Sequence, residues 1–151
     1  MQVGIAKALS VIAAHWDGEL PVNLSRICEK VGVQVSYDMN FPGAGVARID
    51  RQNGQVRIVL NRRHPALRLR WALAHALGAV LCESSDTLFD VSDYSTQAAT
   101  QENLFAAELL MPRTAMDLVI MQARSIEGIS KLLNVSEVAV ASRLRALKIT
   151  G

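Results

Sequence analysis

The sequence predicts an α+β fold, and three stretches of the chain support that prediction. Arg68 to Cys82 has no interior proline and repeats apolar residues at helical spacing, which is typical of a helix packed against a core. Val46 to Asp50 and Gln55 to Leu60 flank Asn53-Gly54, a pair that strongly favours a tight turn between antiparallel strands. A second apolar helix is predicted from Ala98 to Met111, just before a proline. We therefore expect a small antiparallel sheet and a central pair of helices.

The first third of the chain predicts two further helices and a strand. Apolar residues recur at helical spacing from Ile5 to Ala13, so the first helix should end near His15. Asn23 has a side chain suited to cap the start of the second helix, and Gly32 favours its end. Apolar and polar residues then alternate from Val33 to Tyr37, which predicts a half-buried strand.

Length and composition narrow the class of protein. The chain has 151 residues, 50% of them hydrophobic, which suits one domain, alone or with a small appendage. Its net charge of +2 is too small to indicate nucleic-acid binding by the whole chain. Cys28 and Cys82 are too few for a disulfide framework and indicate a reducing, cytoplasmic setting. Without a long apolar run or a secretory leader, we expect a soluble, unexported protein with no membrane partner.

The composition changes after Thr114, where three short helices are predicted. Their ranges are Met116 to Ala123, Ile126 to Leu133 and Glu137 to Leu147. Ser136 should cap the last helix, and the last two helices with their tight turn resemble a helix-turn-helix. We therefore divide the chain into a core at residues 1–112 and a helical C-terminal unit at residues 113–151 that packs on the core.

The cations of the C-terminal unit suggest one possible function. Arg143, Arg145 and Lys148 lie on or after the last helix, where a DNA-reading helix would place cations against phosphates. That helix starts Glu137-Val-Ala-Val and lacks the Gln, Asn or Arg that usually contacts base edges. A solvated helix face explains these cations better than DNA binding, which stays open but is not favoured.

A second functional signal is His75, in the middle of the central helix. Zinc peptidases place His-Glu-x-x-His on such a helix, because two histidines four residues apart bind one metal ion while the Glu activates water. Here the pentad is His75-Ala-Leu-Gly-Ala79, and a lone histidine in an apolar helix is more often structural than a ligand. The polar stretch Glu83 to Gln97 follows and predicts a long loop, a common form of lid or binding segment.

Several stretches, in this order along the chain, resemble the ImmA/IrrE family of zinc metallopeptidase-like proteins. The most specific is Phe105 to Pro112, Phe-Ala-Ala-Glu-Leu-Leu-Met-Pro, and its distance from the His75 helix agrees with the family. The other matching stretches are Leu20 to Leu24, Val31 to Val35, Ile58 to Asn61, Arg70 to Gly78 and Leu132 to Leu144. The resemblance implies a zincin-like peptidase core. It also implies regulation of a mobile element, prophage or stress response, commonly by cleavage of a helix-turn-helix repressor.

The family pattern can be placed on five positions of this chain. It implies zinc ligands at the positions of His75, Ala79 and Ala99. It also implies a general-base Glu at the position of Ala76 and an orienting side chain at Asn103. A peptidase site needs three protein ligands and an open water position, and only His75 can bind metal here. We therefore expect the chain as written to hold no zinc and to be inactive, and restored ligands to bring zinc back.

These departures leave three functional hypotheses, of which the first two are close. The first is a catalytically inactive, metallopeptidase-like regulatory protein, a pseudoenzyme that binds a helix-turn-helix transcriptional repressor or a similar partner. The second is a zinc-dependent endopeptidase that cleaves such a repressor, present here in an alanine-substituted inactive form. The third is a small DNA-binding protein. The sequence alone does not separate natural loss of the ligands from deliberate substitution.

Overall fold

The computed structural model describes residues 2–84, 88–89 and 100–148 and confirms the predicted α+β class. The helices are α1 (Val3–His15), α2 (Leu24–Lys30), α3 (Ala66–Leu81), α4 (Gln101–Leu110), α5 (Arg113–Ala123), α6 (Ile126–Leu133) and α7 (Glu137–Ala146). The strands are β1 (Val33–Asp38), β2 (Ala47–Gln52), β3 (Gln55–Asn61) and β4 (Leu88–Phe89). None of the helices in this part of the chain combines the length and apolar character that a membrane span requires.

The strands form one mixed sheet in the order β1-β3-β2-β4. β2 and β3 pair antiparallel as the predicted hairpin, with Ile49 opposite Ile58, and β4 pairs antiparallel with β2. β1 instead pairs parallel with β3, with Val35 opposite Ile58. The sheet is therefore mixed, where the sequence predicted an antiparallel one. The cause is that β3 lies between β1 and β2, so β1 meets the second arm of the hairpin instead of the first.

The hairpin turn has the geometry that its two residues favour. Asn53 has a φ of 54° and Gly54 a φ of 79°. Two successive residues with positive φ are the mark of a type I′ turn, whose twist matches that of the flanking strands. This turn sets the register that brings Ile49 and Ile58, both buried, onto the same face of the sheet.

The predicted central helix pair, α3 and α4, packs at close range. Gly78 of α3 faces Phe105 of α4, and a Cβ atom at Gly78 would lie 2.8 Å from the Phe105 Cδ1 atom. Phe105 and the neighbouring Leu77 are both 0% exposed. α3 also packs on β2 and β3, so it is flanked by the sheet on one side and by α4 on another.

The described part of α4 begins later than the sequence predicted. Its N-cap is Thr100, whose hydroxyl accepts a hydrogen bond from the Asn103 backbone N–H at 3.2 Å. The predicted start at Ala98 and Ala99 lies outside the described residues. Most of the predicted loop from Glu83 to Gln97 also lies outside them, and its described part includes the short strand β4, which the sequence did not predict.

The helix pair α6 and α7 of the C-terminal unit has the predicted form. Ser136 is the N-cap of α7 and accepts a hydrogen bond from the Ala139 backbone N–H at 3.1 Å, as predicted. α6 has the predicted bounds, and its C-cap is Asn134, whose φ of 56° is left-handed. α5 begins at Arg113, three residues before its predicted start at Met116.

A buried ionic network joins α4 to the C-terminal helices. Glu108 of α4 is 0% exposed, and its Oε1 atom lies 2.7 Å from the Arg113 Nε atom. Its Oε2 atom lies 2.9 Å from the Nη2 atom of Arg143, which is 4% exposed. Arg143 Nε also donates to the Met111 carbonyl at 3.1 Å. These contacts attach the C-terminal helices to the end of α4.

Candidate active site

His75 and Asn103 meet where α3 packs against α4. The His75 Nδ1 atom lies 2.9 Å from the Asn103 Oδ1 atom. Asn103 is 1% exposed, whereas His75 is partly exposed. Two local features set this geometry: Gly78, close to His75 on α3, lets the helices approach, and the Thr100 cap fixes the first turn of α4. The fold therefore brings together the candidate ligand and the residue predicted to orient it.

This hydrogen bond indicates which ring nitrogen of His75 carries the proton. An amide oxygen can only accept, so Nδ1 donates its proton to Asn103 Oδ1. In a neutral ring the lone pair then lies on Nε2. Metal-binding histidines commonly use one ring nitrogen for the ion and donate the other N–H to an oxygen that orients the ring. The pair formed by His75 and Asn103 has the form of that orienting contact.

The other positions of the family site offer no ligand. Ala76 and Ala79 are both 0% exposed, and their methyl groups can neither bind a metal nor accept a proton. Ala99 lies outside the described residues. In the described part of the chain, no three His, Cys, Asp or Glu side chains are grouped so that they could hold a metal ion. Because a peptidase zinc site needs three protein ligands, the described residues do not fit zinc.

Cys82 does not supply a substitute for the missing ligands. It is the C-cap of α3, two turns past His75 and about 10 Å along the helix axis, which is too far for both to bind one ion. Burial raises the pKa of the Cys82 thiol, the charge of Glu102 raises it further, and Lys7 opposes the rise. The thiol is therefore held protonated, whereas metal binding and nucleophilic attack need the thiolate.

The position of Arg143 corrects the interpretation of the C-terminal cations. The sequence favoured a solvated helix face for Arg143, Arg145 and Lys148 over contacts with DNA phosphates. Both interpretations are wrong for Arg143, which is 4% exposed and bound to Glu108. Arg145 and Lys148 are exposed. The reason is that Arg143 reaches the C-terminal end of α4, where it neutralises the buried Glu108 carboxylate and donates to the Met111 carbonyl. This removes one of the three cations on which the DNA hypothesis depends.

Glu108 is the charged residue that sequence reasoning missed. It lies within the apolar stretch of α4 and is buried there, although the hydrophobic effect does not favour burial of a carboxylate. Burial raises its pKa, but the hydrogen bonds from Arg113 and the charge of Arg143 outweigh that effect, so the pKa of Glu108 lies below its ordinary value. A Glu in an apolar helix followed five residues later by an Arg was the available signal. The partner on α7 was not visible in the local sequence.

The α+β fold, with His75 of its central helix hydrogen-bonded to Asn103 of the next helix, fits the metallopeptidase-like class that the sequence resemblance implied. The family model described as the IrrE N-terminal-like domain, Peptidase_M78, matches residues 28–145. This match covers most of the chain, so the chain belongs to that family and the predicted ImmA/IrrE resemblance is confirmed. No curated protein matches the chain significantly.

Proposed function

We propose that this chain is a catalytically inactive, metallopeptidase-like regulatory protein that binds a helix-turn-helix transcriptional repressor or a similar protein partner. The observation on which the proposal depends is the composition of the site. His75 keeps its hydrogen bond with Asn103, while Ala76 and Ala79 present only buried methyl groups. A family fold that keeps its framework without its chemical groups favours binding over cleavage.

The missing groups affect both the zinc ligands and the general base that zinc-dependent hydrolysis requires. Ala79 and Ala99 cannot act as ligands, and His75 alone does not make a zinc site. Ala76 cannot take the proton of an attacking water, a contribution of about 10²- to 10⁴-fold to such reactions. We therefore also propose that the chain as written binds no cofactor.

A cytoplasmic location is also part of the proposal. Cys28 and Cys82 are both free cysteines. Unpaired cysteines fit a reducing compartment, which is also where a transcriptional repressor would be met. DNA binding by the chain itself is not included, because Arg143 is occupied by Glu108.

The test uses the intact chain and the repressor encoded beside its gene. We expect the two proteins to co-elute in size-exclusion chromatography and the repressor to keep its intact mass after long incubation with the chain. An unrelated helix-turn-helix protein of similar size and charge is the matched control and should not co-elute. The proposal fails if the repressor does not co-purify with the chain and binds its operator DNA equally well with and without the chain. A cleaved repressor would contradict the proposed inactivity.

A zinc endopeptidase, present here in alanine-substituted form, is the second candidate. The observation that favours it is that Ala76, Ala79 and Ala99 are all alanine beside a retained hydrogen bond between His75 and Asn103. Under this hypothesis, a variant with Ala76→Glu, Ala79→His and Ala99→Glu should bind about one zinc ion per chain. The parent should bind none, and the variant should cleave the repressor.

The matched control for that experiment is the same variant with His75→Ala, which should lose the zinc measured by mass spectrometry. Ala76 and Ala79 are fully buried, so larger side chains there risk overpacking, which typically costs about 1–3 kcal/mol. Circular dichroism must therefore show that the triple variant is folded. A folded triple variant without zinc would rule out the second candidate.

A further inference from the structure

A cavity lies on the side of α3 that faces away from His75. Its volume is about 420 Å³, and it opens between α2, the end of β1 and the first half of α3. Its lining includes the apolar side chains Val22, Leu24, Leu69 and Leu73 and the polar side chains Ser25 and Arg70. Arg70 precedes His75 by five residues, which is roughly 140° around the helix. A molecule in this cavity would therefore not contact the candidate active site.

Arg70 has hydrogen-bonding capacity that the described part of the chain does not use. Its Nε atom is buried and has no hydrogen-bond partner there. Its Nη2 atom reaches the Leu133 carbonyl only at 3.4 Å, which is long for such a bond. No carboxylate of the described residues forms an ion pair with Arg70, and it is the only charged residue among those that line the cavity.

Partial burial of the Arg70 guanidinium is costly, because the group loses hydration and the long bond to the Leu133 carbonyl replaces only part of it. Burial lowers the pKa of Arg70 for this reason. An arginine side chain nevertheless stays protonated in proteins, so the positive charge persists at the wall of the cavity. An anion placed in the cavity, which Arg70 lines, would balance this charge.

We propose that this cavity binds a carboxylate carried on an apolar body. The planar guanidinium of Arg70 matches a carboxylate in shape and in hydrogen-bond direction. Leu69 and Leu73, both largely buried, offer an apolar wall beside it. A volume of about 420 Å³ falls within the usual range for small-ligand sites. The carboxylate comes either from a free monocarboxylic acid or from the C-terminus of an extended peptide.

The experiment titrates the full-length ¹⁵N-labelled chain and follows its amide resonances. The first pair of probes is hexanoate and hexanamide, which have the same carbon skeleton and differ in charge. The second pair is acetyl-Ala-Ala-Leu with a free carboxylate and the same peptide with a C-terminal amide. We expect saturable shifts at cavity residues such as Ser25 and Leu73 with the acids and not with the amides. Tighter binding of the peptide acid than of hexanoate identifies a peptide C-terminus as the source, and the reverse identifies a free acid.

Two variants test the site itself. Ser25→Phe places a ring at the exposed rim of the cavity and should weaken acid binding at least tenfold, about 1.4 kcal/mol. Ser10→Phe puts the same ring on the exposed side of α1 and should leave binding unchanged. Arg70→Gln should also weaken binding at least tenfold, and Ser25→Phe still decides the matter if Arg70→Gln does not fold.

Three results would overturn the proposal. The first is the absence of saturable shifts with both acids. The second is equal binding of acids and amides, because the charge of Arg70 would then have no role. The third is acid binding that Ser25→Phe and Ser10→Phe affect equally. None of these results depends on repressor binding, so this proposal and the proposed function can fail separately.

Discussion

The Nδ1–H group of His75 donates a hydrogen bond to an acceptor that is almost completely buried. Asn103 is 1% exposed, so water competes little for the Oδ1 atom that receives this proton. The Asn103 backbone is itself held by the Thr100 cap, which limits movement of the acceptor. The hydrogen bond at Nδ1 thus orients the imidazole ring, as the corresponding bond does in metal-binding histidines. This arrangement predicts a single tautomer for His75.

Substitution of Asn103 tests this orientation. In the parent chain, the ring ¹⁵N shifts of His75 should show the proton on Nδ1. Asn103→Leu removes the acceptor, so we expect a mixture of tautomers and a loss of about 1–3 kcal/mol in the free energy of unfolding. Asn40→Leu, at an exposed position, is the control and should leave the His75 spectrum unchanged. A fixed Nδ1 tautomer in Asn103→Leu would contradict the assigned hydrogen bond.

The approach of α3 to α4 depends on the missing side chain at Gly78. A Cβ atom at this position would lie 2.8 Å from the Phe105 ring, closer than packed carbon atoms normally come. Phe105 is 0% exposed and has little room to move away. The contact between His75 and Asn103 lies in the same helix pair, so it depends on this spacing.

Gly78→Ala tests the helix spacing. Alanine is favoured over glycine inside a helix by about 1 kcal/mol, but overpacking typically costs about 1–3 kcal/mol. We expect net destabilisation in urea, because the clash is with a buried ring. The double variant Gly78→Ala with Phe105→Leu removes the ring and should recover part of the loss beyond the effect of Phe105→Leu alone. A stabilised Gly78→Ala would mean that the helices can separate without strain.

Elements defined by local chemistry were predictable from the sequence. The Asn53-Gly54 turn, the Asn23 and Ser136 caps and the bounds of α6 all follow from neighbouring residues, and the structure has them as predicted. The parallel pairing of β1 with β3 was not predictable, because it joins strands that are separated by the hairpin's first arm. Local patterns carry no information about which arm of a hairpin a third strand will meet.

The candidate site was also predictable only in part, because local patterns do not show which distant parts of the chain meet. The resemblance indicated His75 as a ligand position and Asn103 as an orienting residue, and the structure places the two in contact. The cavity beside Arg70 is lined by residues of α2, β1 and α3 that are distant in sequence, and no local pattern shows that they meet. The burial of Arg143 likewise followed from its long-range ion pair with Glu108 of α4.

At the scale of the whole molecule, Glu108 couples the core to the C-terminal helices. Arg113 begins α5 and Arg143 lies in α7, so one carboxylate holds two elements that are far apart in sequence. Arg143 is 4% exposed, so its charge depends on Glu108 for compensation. Removing one partner of a buried ion pair typically costs about 3–5 kcal/mol. Loss of this carboxylate should therefore weaken the whole fold and not one helix.

Glu108→Gln should lower the free energy of unfolding at pH 7 by about 3–5 kcal/mol, because it leaves Arg143 buried without a counter-charge. The pKa of Glu108 is lowered in the folded chain, so its contribution to stability is present above the ordinary glutamate pKa of about 4.3 and is lost as the pH falls through the lower folded value. Urea titrations between pH 7 and pH 2 should show this acid loss in the parent and a smaller one in Glu108→Gln.

Glu127→Gln is the matched control. The Glu127 carboxylate pairs with Lys131 at the surface, and 67% of the Glu127 side chain is exposed. Its removal should change the free energy of unfolding by no more than about 0.5 kcal/mol. Equal effects of the two substitutions would mean that the buried network does not hold the C-terminal helices to the core.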